Sequence, residues 1–564
     1  MCSSPAEEGP SVAALIQRSM ARNGDNPALW DGSRWLSFGE LRELASRAGG
    51  YLRGLGAQDQ DRVLIACSNS PEFRVLELAV ICEGMVRVAL SSRLHVQEII
   101  RIAADCDARI VVCDADRASG LAEALQQRGG IQPTIVAVGE TRDAPRTAGP
   151  DPSGTNPPAG PIHRFDIGGL RRHGTSTSSP TTGSSDLVML MYSSGSTGQP
   201  KAIPVTNRAW IAQTTLAGVC LPPIGPGDVV LAAAPMSHFG GSIGLDCTVR
   251  GAATVTMSTF RPADVFEAME RHFVTVLPLI PVMLRDLALA PEAAPQPQTR
   301  AVPYGGSGVS VDTLALAEKL FPGALHQFYG LAEALAPIAS LSGAEHSRAV
   351  QRLGDPSTAE DANRVLSSAG RPLAEVEVRI GPRGDTREGP QEIYVRGDTV
   401  MTGYLGHAQE PAISAGSWFP TGDLGTLSAD GLLTIAGRAK ETIITGGFNV
   451  QPSEVEKVIE QLPGVAAAAV LGMPHPRWGE AVTAFVERSP RTGPAPQIEA
   501  LDITAFCRAH LADYKKPKSV TFVDRLPRNS TGKIDRSALR NALAERGGDQ
   551  SEPHTQGKEA SCRL

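Results

Sequence analysis

The sequence has no long apolar run, no cysteine pair at metal-ligand spacing and no long basic stretch. A transmembrane helix needs about 20 consecutive apolar residues, so the sequence predicts no membrane span. The nine cysteines are scattered without a C-x-x-C pair, which disfavours a metal or disulfide framework and favours reduced thiols in the cytoplasm. The net charge of −7 disfavours nucleic acid or an anionic membrane as the main partner.

The chain does have length and a balanced composition. Its 564 residues, 41% hydrophobic and 20% charged, predict a globular protein of two or more domains with a large core. Residues 1–8 are polar and acidic, unlike a secretory signal peptide. The last three residues, Cys562-Arg563-Leu564, resemble a variant of the Ser-Lys-Leu peroxisomal address. Such tripeptides also arise by chance, so we retain the cytoplasm as the expected location.

Residues 12–135 alternate helical and strand patterns, which predicts an α/β fold with a mostly parallel sheet covered by helices. The pattern resumes after residue 201 and gives way to short alternating strands at about 365–436, which predict a small antiparallel barrel or sheet. A compact α+β stretch follows. Two predicted strands, 62–67 and 109–113, and two predicted helices, 73–84 and 96–105, are typical of the first part. Further strands are predicted at 187–191 and 275–279. Residues 140–185 are crowded with Pro, Gly, Ser and Thr and predict a flexible connection.

One short loop carries the clearest chemical signal. Residues 192–201 read Tyr-Ser-Ser-Gly-Ser-Thr-Gly-Gln-Pro-Lys and follow the predicted buried strand 187–191. Consecutive backbone N–H groups and hydroxyls in such a loop form a concavity suited to an anion, and Lys201 adds a positive charge. The loop therefore predicts a polyphosphate site. A flexible Ser/Gly linker is the alternative, and the P-loop spacing G-x4-G-K-[ST] is absent.

Five stretches together match one enzyme superfamily in order and approximate spacing. They are residues 192–201, 329–333, 421–425, 437–456 and 527–533. On these motifs the chain resembles, over residues 12–545, the adenylate-forming enzymes: acyl-CoA synthetases, nonribosomal-peptide adenylation domains and beetle luciferases. The resemblance implies a large N-terminal domain of α/β sheets with a small β-barrel, 12–437, and a mobile α+β C-terminal domain, 438–545. The polar composition of residues 546–564 predicts a disordered tail.

The resemblance implies ATP-dependent activation of a carboxylic acid as an acyl-adenylate, with release of pyrophosphate, followed by thioester formation with CoA. We expect a monomer or homodimer. An alternative is an enzyme that passes the adenylate to a carrier protein, an amine or an unusual acceptor, including nitrite-dependent diazotisation of an aryl amine. A third hypothesis is a non-catalytic nucleotide-binding relative. It rests on Ala332, which stands where the superfamily has a threonine that contacts the α-phosphate.

The ATP site implied by the resemblance combines the phosphate loop, an adenine-binding region and a ribose-binding pair. Its residues are Ser193, Ser194, Gly195, Ser196, Thr197, Gly198, Lys201, Gly305, Gly306, Ser307, Tyr329, Gly330, Asp423 and Arg438. Glu333 would bind Mg²⁺ together with the ATP phosphates, since this hard cation prefers carboxylate oxygen. The ordinary alternatives are a turn aspartate at 423, a solvated helix-start glutamate at 333 and tight turn packing at the glycines.

The catalytic lysine implied by the resemblance is Lys533, in the stretch Asn-Ser-Thr-Gly-Lys-Ile-Asp, where it would bridge the attacking carboxylate and the α-phosphate. Lys440 would be the hinge about which the C-terminal domain rotates. Residues 235–241, the predicted acid-binding segment, offer Phe239 and the further catalytic candidate His238 where α-amino-acid adenylation domains have an aspartate. This favours a free aliphatic or aromatic acid. The implied CoA-contacting residues are Gly446, Gly447, Trp478, Tyr514 and Lys518. The alternatives are that Lys533 is an ordinary surface charge and that the residues matched to CoA-contacting positions only pack the fold.

Overall fold

The computed structural model of the chain describes residues 11–128, 132–139, 162–176, 182–193, 200–382, 389–406, 416–445, 448–475, 478–489, 498–511, 513–529 and 532–547. The chain divides into two compact units. The first comprises Met1–Glu377 and Val395–Phe419, and the second comprises Val378–Tyr394 and Pro420–Leu564. In the described part of the chain, no helix combines the length and apolarity that a membrane crossing requires.

Most helices begin at a capping residue or at a proline in the first turn. The described helices are α1 (Val12–Arg22), α2 (Phe38–Gly54), α3 (Pro71–Cys82), α4 (Val96–Asp105), α5 (Ala118–Arg128), α6 (Asn207–Cys220), α7 (Phe239–Val249), α8 (Pro262–His272), α9 (Pro281–Ala288), α10 (Val311–Leu320), α11 (Gly343–Arg352), α12 (Ala359–Leu366), α13 (Pro452–Ile459), α14 (Ala500–His510) and α15 (Arg536–Gly547).

The strands are short. In the first unit they are β1 (Pro27–Trp30), β2 (Trp35–Ser37), β3 (Arg62–Ala66), β4 (Val86–Ala89), β5 (Ala108–Asp114), β6 (Thr134–Val138), β7 (Ile162–Phe165), β8 (Leu187–Ser193), β9 (Lys201–Thr206), β10 (Val229–Ala232), β11 (Ala253–Thr256), β12 (Val302–Gly305), β13 (Leu325–Leu331), β14 (Ala334–Leu341) and β15 (Arg371–Pro372). From the boundary of the units onward they are β16 (Glu377–Ile380), β17 (Gln391–Arg396), β18 (Phe419–Leu427), β19 (Leu433–Arg438), β20 (Ile443–Thr445), β21 (Phe448–Val450), β22 (Val465–His475), β23 (Gly479–Arg488) and β24 (Ser519–Val523).

A seven-stranded sheet in the order β7-β6-β5-β3-β4-β8-β9 forms the first part of unit one. All neighbouring strands are parallel except β8 and β9, which form an antiparallel hairpin. Because successive side chains of a strand point to opposite faces, Val63 and Ile65 pack with α1, α2 and α3, whereas Leu64 and Ala66 pack with α4 and α5. The predicted parallel sheet covered by helices is confirmed.

Two observed segments differ from the expectations. Residues 162–165, inside the predicted flexible connection 140–185, form β7 and pair in parallel with β6, and the Phe165 ring lies 5.7 Å from the Tyr51 ring. The Pro, Gly and Ser residues around this short strand hide the sequence pattern by which a strand would be predicted. Residues 275–279 read as a strand but form only isolated bridges at Val276 and Leu279, since Pro278 between them has no N–H to donate.

Four further sheets complete the described fold. Unit one holds the sheets β10-β11-β1-β2 and β12-β13-β14-β15. The sheet β16-β17-β18-β19 occupies the stretch where the sequence predicts a small barrel or sheet. The last sheet has the order β21-β20-β23-β22, with β24 beside β23, and packs against α13 and α14 around its own apolar core. The predicted end of this part at residue 545 falls inside α15, and residues 548–564 lie outside the described part of the chain.

Three charged side chains lie fully inside unit one. Arg74 and Glu77 on α3 and Arg87 on β4 are at most 4% exposed. The Glu77 carboxylate lies 2.5 Å from Arg74 Nη1 and 2.7 Å from Arg87 Nε. Arg87 Nη2 in turn donates to the Met236 carbonyl at 2.8 Å. One carboxylate therefore joins α3 and β4 to the turn that precedes α7.

Glu77→Gln removes the carboxylate that both guanidinium groups share. We expect it to lower the free energy of unfolding by about 3–5 kcal/mol, because the two cations stay buried without an anion. The control is Glu43→Gln, which breaks the surface pair with Arg47 and should cost less than about 1 kcal/mol. Urea denaturation of both variants measures the difference. Equal, small losses would contradict a buried ionic network.

Candidate functional site

The predicted phosphate loop is the connection of the β8–β9 hairpin. Ser193 and Lys201 are cross-strand partners at its two ends. The loop residues Ser194, Gly195, Ser196, Thr197 and Gly198 lie outside the described residues, as does the side chain of Ser193. Lys201 is half-buried at the start of β9. An antiparallel hairpin at the edge of a parallel sheet thus carries the predicted lysine.

Tyr404 connects this lysine to the predicted metal ligand. The Lys201 ammonium lies 4.7 Å from the centre of the Tyr404 ring, and the Tyr404 hydroxyl donates to Glu333 Oε1 at 3.1 Å. The Met401 N–H donates to the Glu333 carbonyl at 2.9 Å, and the Leu405 N–H donates to the Ala202 carbonyl at 2.9 Å. The sequence analysis missed Tyr404. The hint in the sequence is that this large aromatic residue lies between Gly403 and Gly406, where a turn would ordinarily have small residues.

Glu333 lies in the turn between β13 and β14. Leu331 and Ala334 pair across this antiparallel hairpin, so the turn contains Ala332 and Glu333. A helix-start position for Glu333 is therefore wrong. Both turn residues are half-buried. A side chain at Gly330 would place its Cβ 2.6 Å from Ala336 Cα, so close approach of the two strands requires glycine there.

The predicted adenine-binding residues lie at the carboxyl ends of two adjacent parallel strands. Gly305 at the end of β12 pairs with Phe328, and Tyr329 and Gly330 follow on β13. A Cβ at Gly305 would lie 2.4 Å from the Phe328 carbonyl oxygen, and Gly306 has a φ of +96°. Gly306 and Ser307 are exposed. The structure therefore brings Gly305, Gly306, Ser307, Tyr329 and Gly330 to one sheet edge, as parallel strand ends predict.

His238 is the residue that precedes α7. Its Nδ1 lies 2.7 Å from Ser237 Oγ, and the Phe239 ring meets the Phe328 ring edge to face at 6.1 Å. This aromatic pair places the predicted acid-binding segment beside the predicted adenine-binding strand. The segment turns so tightly that a Cβ at Gly241 would lie 1.6 Å from the Met236 carbonyl oxygen.

Asn69 holds the same segment from the N-terminal part of the chain. Its Nδ2 donates to the Ala232 and Ala234 carbonyls at 2.9 Å each, and its Oδ1 accepts from the Met236 N–H at 2.8 Å. Together with Arg87 on the Met236 carbonyl, these bonds satisfy both backbone groups of Met236. The sequence analysis missed Asn69, because a contact spanning more than 160 residues leaves no local pattern.

The predicted ribose-binding pair lies in the second unit. Asp423 on β18 and Arg438 on β19 are direct cross-strand partners, and Arg438 Nε lies 2.8 Å from Asp423 Oδ1. Asp423 is 5% exposed, and the Asp423 N–H donates to Thr421 Oγ1 at 3.1 Å. A buried carboxylate held by an exposed guanidinium is suited to accept hydrogen bonds from a diol.

The remaining predicted residues of the second unit lie on separate turns. Lys533 is exposed, and its backbone exchanges hydrogen bonds with Asn529 at 2.8 and 3.0 Å. The Lys518 ammonium lies 5.4 Å from the Trp478 ring, whereas Tyr514 lies in the short 3₁₀ turn Asp513–Lys515. Lys440 lies in the 3₁₀ turn Ala439–Glu441, and its side chain is outside the described part.

Gly446 and Gly447 lie outside the described residues. Burial, followed by the charge of Lys516, lowers the pKa of Lys518. The structure therefore brings two of the five predicted CoA-contacting residues, Trp478 and Lys518, into contact.

The residues present fit one magnesium ion held with a polyphosphate. Among the described residues, no group of three or more His, Cys, Asp or Glu side chains could hold a metal alone. Mg²⁺ needs no such group, since it commonly binds one or two carboxylates and completes its shell with phosphate oxygens and water. Glu333 supplies a hard oxygen ligand in a fixed turn, and Lys201 supplies a cation for phosphate. This donor set suits Mg²⁺ with ATP.

A cavity of about 300 Å³ lies elsewhere in unit one, between the ends of α6 and α7. Its lining includes Leu221, Ile224, Asp246 and Arg250. Burial raises the pKa of Asp246 to about 7, against the lowering effect of hydrogen bonds from Thr214 and Gln213. The predicted site residues do not line this cavity, so it has no part in the arrangement described above.

Comparison with known proteins gives consistent matches along the chain. A family profile described as AMP-binding enzyme matches residues 16–405, and one described as AMP-binding enzyme C-terminal domain matches residues 454–533. A feruloyl-CoA synthase from Amycolatopsis sp is 32% identical over 525 residues, 91% of this chain and 95% of that protein.

Two solved structures extend the comparison to the fold. The amide bond synthetase McbA from Marinactinospora thermotolerans has a TM-score of 0.78 and 27% identity, covering 94% of this chain and 99% of that one. ATP-bound MatB from Rhodopseudomonas palustris has a TM-score of 0.78 and 27% identity, covering 95% and 99%.

Gly241→Ala tests the tight turn of the acid-binding segment. The added Cβ meets the Met236 carbonyl, so we expect the free energy of unfolding to fall by about 3 kcal/mol or more. The matched control is Gly120→Ala in α5, where nothing lies within 4 Å of the new Cβ and the helix should gain up to about 1 kcal/mol. Chemical denaturation distinguishes the two. A harmless Gly241→Ala would mean that the turn is looser than described.

Proposed function

The chain belongs to the family of AMP-binding enzymes, the adenylate-forming superfamily, and we propose that it is an ATP-dependent ligase that joins a free carboxylic acid to CoA. The observation that carries the proposal is the set of contacts Lys201–Tyr404–Glu333, formed between the phosphate-loop hairpin and the β13–β14 turn. A cation and a carboxylate held by one tyrosine support this proposal, because a magnesium–polyphosphate would need both. Mg²⁺ bound there would withdraw charge from the phosphates.

In the first half-reaction the carboxylate oxygen of the acid attacks the α-phosphorus of ATP. The bond from that phosphorus to the bridging oxygen breaks, which yields acyl-adenylate and pyrophosphate. Lys201 binds phosphate charge, and the exposed Lys533 neutralises the charge that grows on the α-phosphate. Asp423 and Arg438 hold the ribose, and the edge formed by Gly305 and Tyr329 takes the adenine.

The acid is an aliphatic or aromatic carboxylic acid without an α-ammonium group. The segment at 235–241 offers His238 and the Phe239 ring, with no carboxylate to pair an ammonium. The Phe239–Phe328 contact provides an apolar surface for the acyl chain. The similarity to a feruloyl-CoA synthase supports this class of acid.

In the second half-reaction the CoA sulfur attacks the acyl carbonyl, its thiol proton is lost, and AMP leaves. The Trp478–Lys518 contact supports CoA as the acceptor, since an aromatic ring and a cation suit an adenine and a phosphate. Lys440 is the hinge between the two half-reactions. A second candidate is transfer of the acyl group to an amine, which the likeness to the amide bond synthetase McbA favours.

Pyrophosphate release across a library of carboxylic acids tests the activation step. Addition of CoA, or of an amine, then distinguishes the acceptors by the product mass and by acceptor-dependent AMP release. A CoA thioester supports the proposal, and an amide supports the second candidate. Failure of ATP–pyrophosphate exchange with every acid would leave a non-catalytic nucleotide-binding protein.

Lys533→Ala should reduce adenylation at least about 100-fold, because the lysine neutralises charge at the α-phosphate in that step. Thioester formation from a preformed acyl-adenylate should stay within a few-fold of wild type. Lys319→Ala, which removes an exposed lysine of α10, serves as control and should change neither rate. Pyrophosphate release and single-turnover thioester formation measure the two halves. Equal loss of both would rule out this role.

Lys440→Pro should slow thioester formation at least about tenfold more than adenylation, because proline fixes φ at the residue that must turn. Lys440→Ala keeps the backbone free and should change neither step by more than a few-fold. The same two assays report the outcome. If pyrophosphate release falls as far as thioester formation, the hinge lies elsewhere.

A further inference from the structure

Tyr404 contacts two oppositely charged side chains of the candidate site. Its ring lies 4.7 Å from the Lys201 ammonium, and its hydroxyl donates to Glu333 Oε1 at 3.1 Å. We propose that Tyr404 is a positioning residue that holds the Glu333 carboxylate for Mg²⁺ and the Lys201 ammonium for phosphate, each through a separate part of one side chain. This inference rests on the proposed ATP site.

The two contacts differ in kind, so they can be separated by substitution. The phenol donates a charge-assisted hydrogen bond, which occupies one carboxylate oxygen and leaves the other oxygen of Glu333 for a metal. The ring face attracts the ammonium through its quadrupole without using any of the three ammonium donors on an acceptor. Neither contact with Tyr404 therefore takes up the second carboxylate oxygen of Glu333 or an ammonium donor of Lys201.

The backbone around Tyr404 is tied to both partners. On one side, Met401 donates to the Glu333 carbonyl and Val400 bridges Ala334, the residue after Glu333. On the other side, Leu405 donates to the Ala202 carbonyl, next to Lys201. Residues 400–405 thus run from the metal-ligand turn to the phosphate-loop hairpin. A side chain anchored at both ends of this segment is suited to set the geometry between them.

The test is ATP binding by calorimetry, with Mg²⁺ and separately with EDTA. Tyr404→Phe keeps the ring and loses the hydroxyl, so the Kd for ATP with Mg²⁺ should rise about tenfold. The Kd in EDTA should stay within twofold, because the hydroxyl acts through the metal ligand. The control is Tyr394→Phe, which removes a hydroxyl that donates to Glu392 Oε2 at the same distance of 3.1 Å and should change neither Kd.

Two further variants separate positioning from folding. Tyr404→Leu also loses the ring and should weaken ATP binding in EDTA as well, because Lys201 then loses its contact. In a Glu333→Gln background, Tyr404→Phe should add no further loss, since the carboxylate through which it acts is gone. Melting temperatures of all variants, measured without ligand, identify any that fail to fold. If Tyr404→Leu is among them, the milder Tyr404→Phe, with and without Glu333→Gln, still decides the matter.

Two outcomes would overturn the inference. An unchanged Kd for ATP with Mg²⁺ in Tyr404→Phe would exclude a role through Glu333, and equal losses with Mg²⁺ and with EDTA would show a purely structural role. If the wild-type chain binds no ATP under either condition, the proposed function fails first, and the inference fails with it. If the wild-type chain binds ATP and the Kd of Tyr404→Phe with Mg²⁺ is unchanged, the inference is wrong while the proposed function stands.

Discussion

One carboxylate inside unit one decides where the acid-binding segment lies. Glu77 is shared by two buried guanidinium groups, and the outer of these, Arg87, reaches the Met236 carbonyl. Burying three charges carries a large desolvation penalty, which only the complete set of ionic contacts offsets. The geometry therefore tolerates little displacement of α3 or β4. The same contacts hold His238 and Phe239 in place, because these residues follow Met236 within three positions.

The local elements of the fold could be predicted from the sequence, because their signals are local. The helix predicted at 96–105 is α4 with the same bounds, and its apolar residues recur at helical spacing and face the core. The strand predicted at 187–191 forms the first five residues of β8, and its middle residues 188–190 are buried. The strand β7 could not be predicted, since four residues in a Pro- and Gly-rich stretch carry too little pattern. The strand β7 forms because its backbone pairs in parallel with β6 at the edge of the sheet.

The residues of the candidate site also fall into two groups, those with a local sequence signal and those without one. Lys201, Glu333, Asp423 and Arg438 could be named as candidates because their motifs are contiguous in sequence. The structure brings these four candidates together in two pairs, one through Tyr404 and one directly. Tyr404 and Asn69 could not be identified, since each acts across a long stretch of chain. Gly305 and Gly330 belong to predicted motifs, but the reason that each must be glycine is a close contact with a residue of another strand segment, Phe328 and Ala336, which the motif itself does not show.

The order in which the chain crosses between its two units has a consequence for synthesis. Residues 378–394 belong to the second unit, yet they are made before residues 395–419, which return to the first. Tyr404 leaves the ribosome 71 residues after Glu333. At a synthesis rate of about 5–20 residues per second, Tyr404 is added to the chain roughly 4–14 seconds after Glu333. The first unit is thus completed only after part of the second has been made, so no single cut in the chain separates the two units intact.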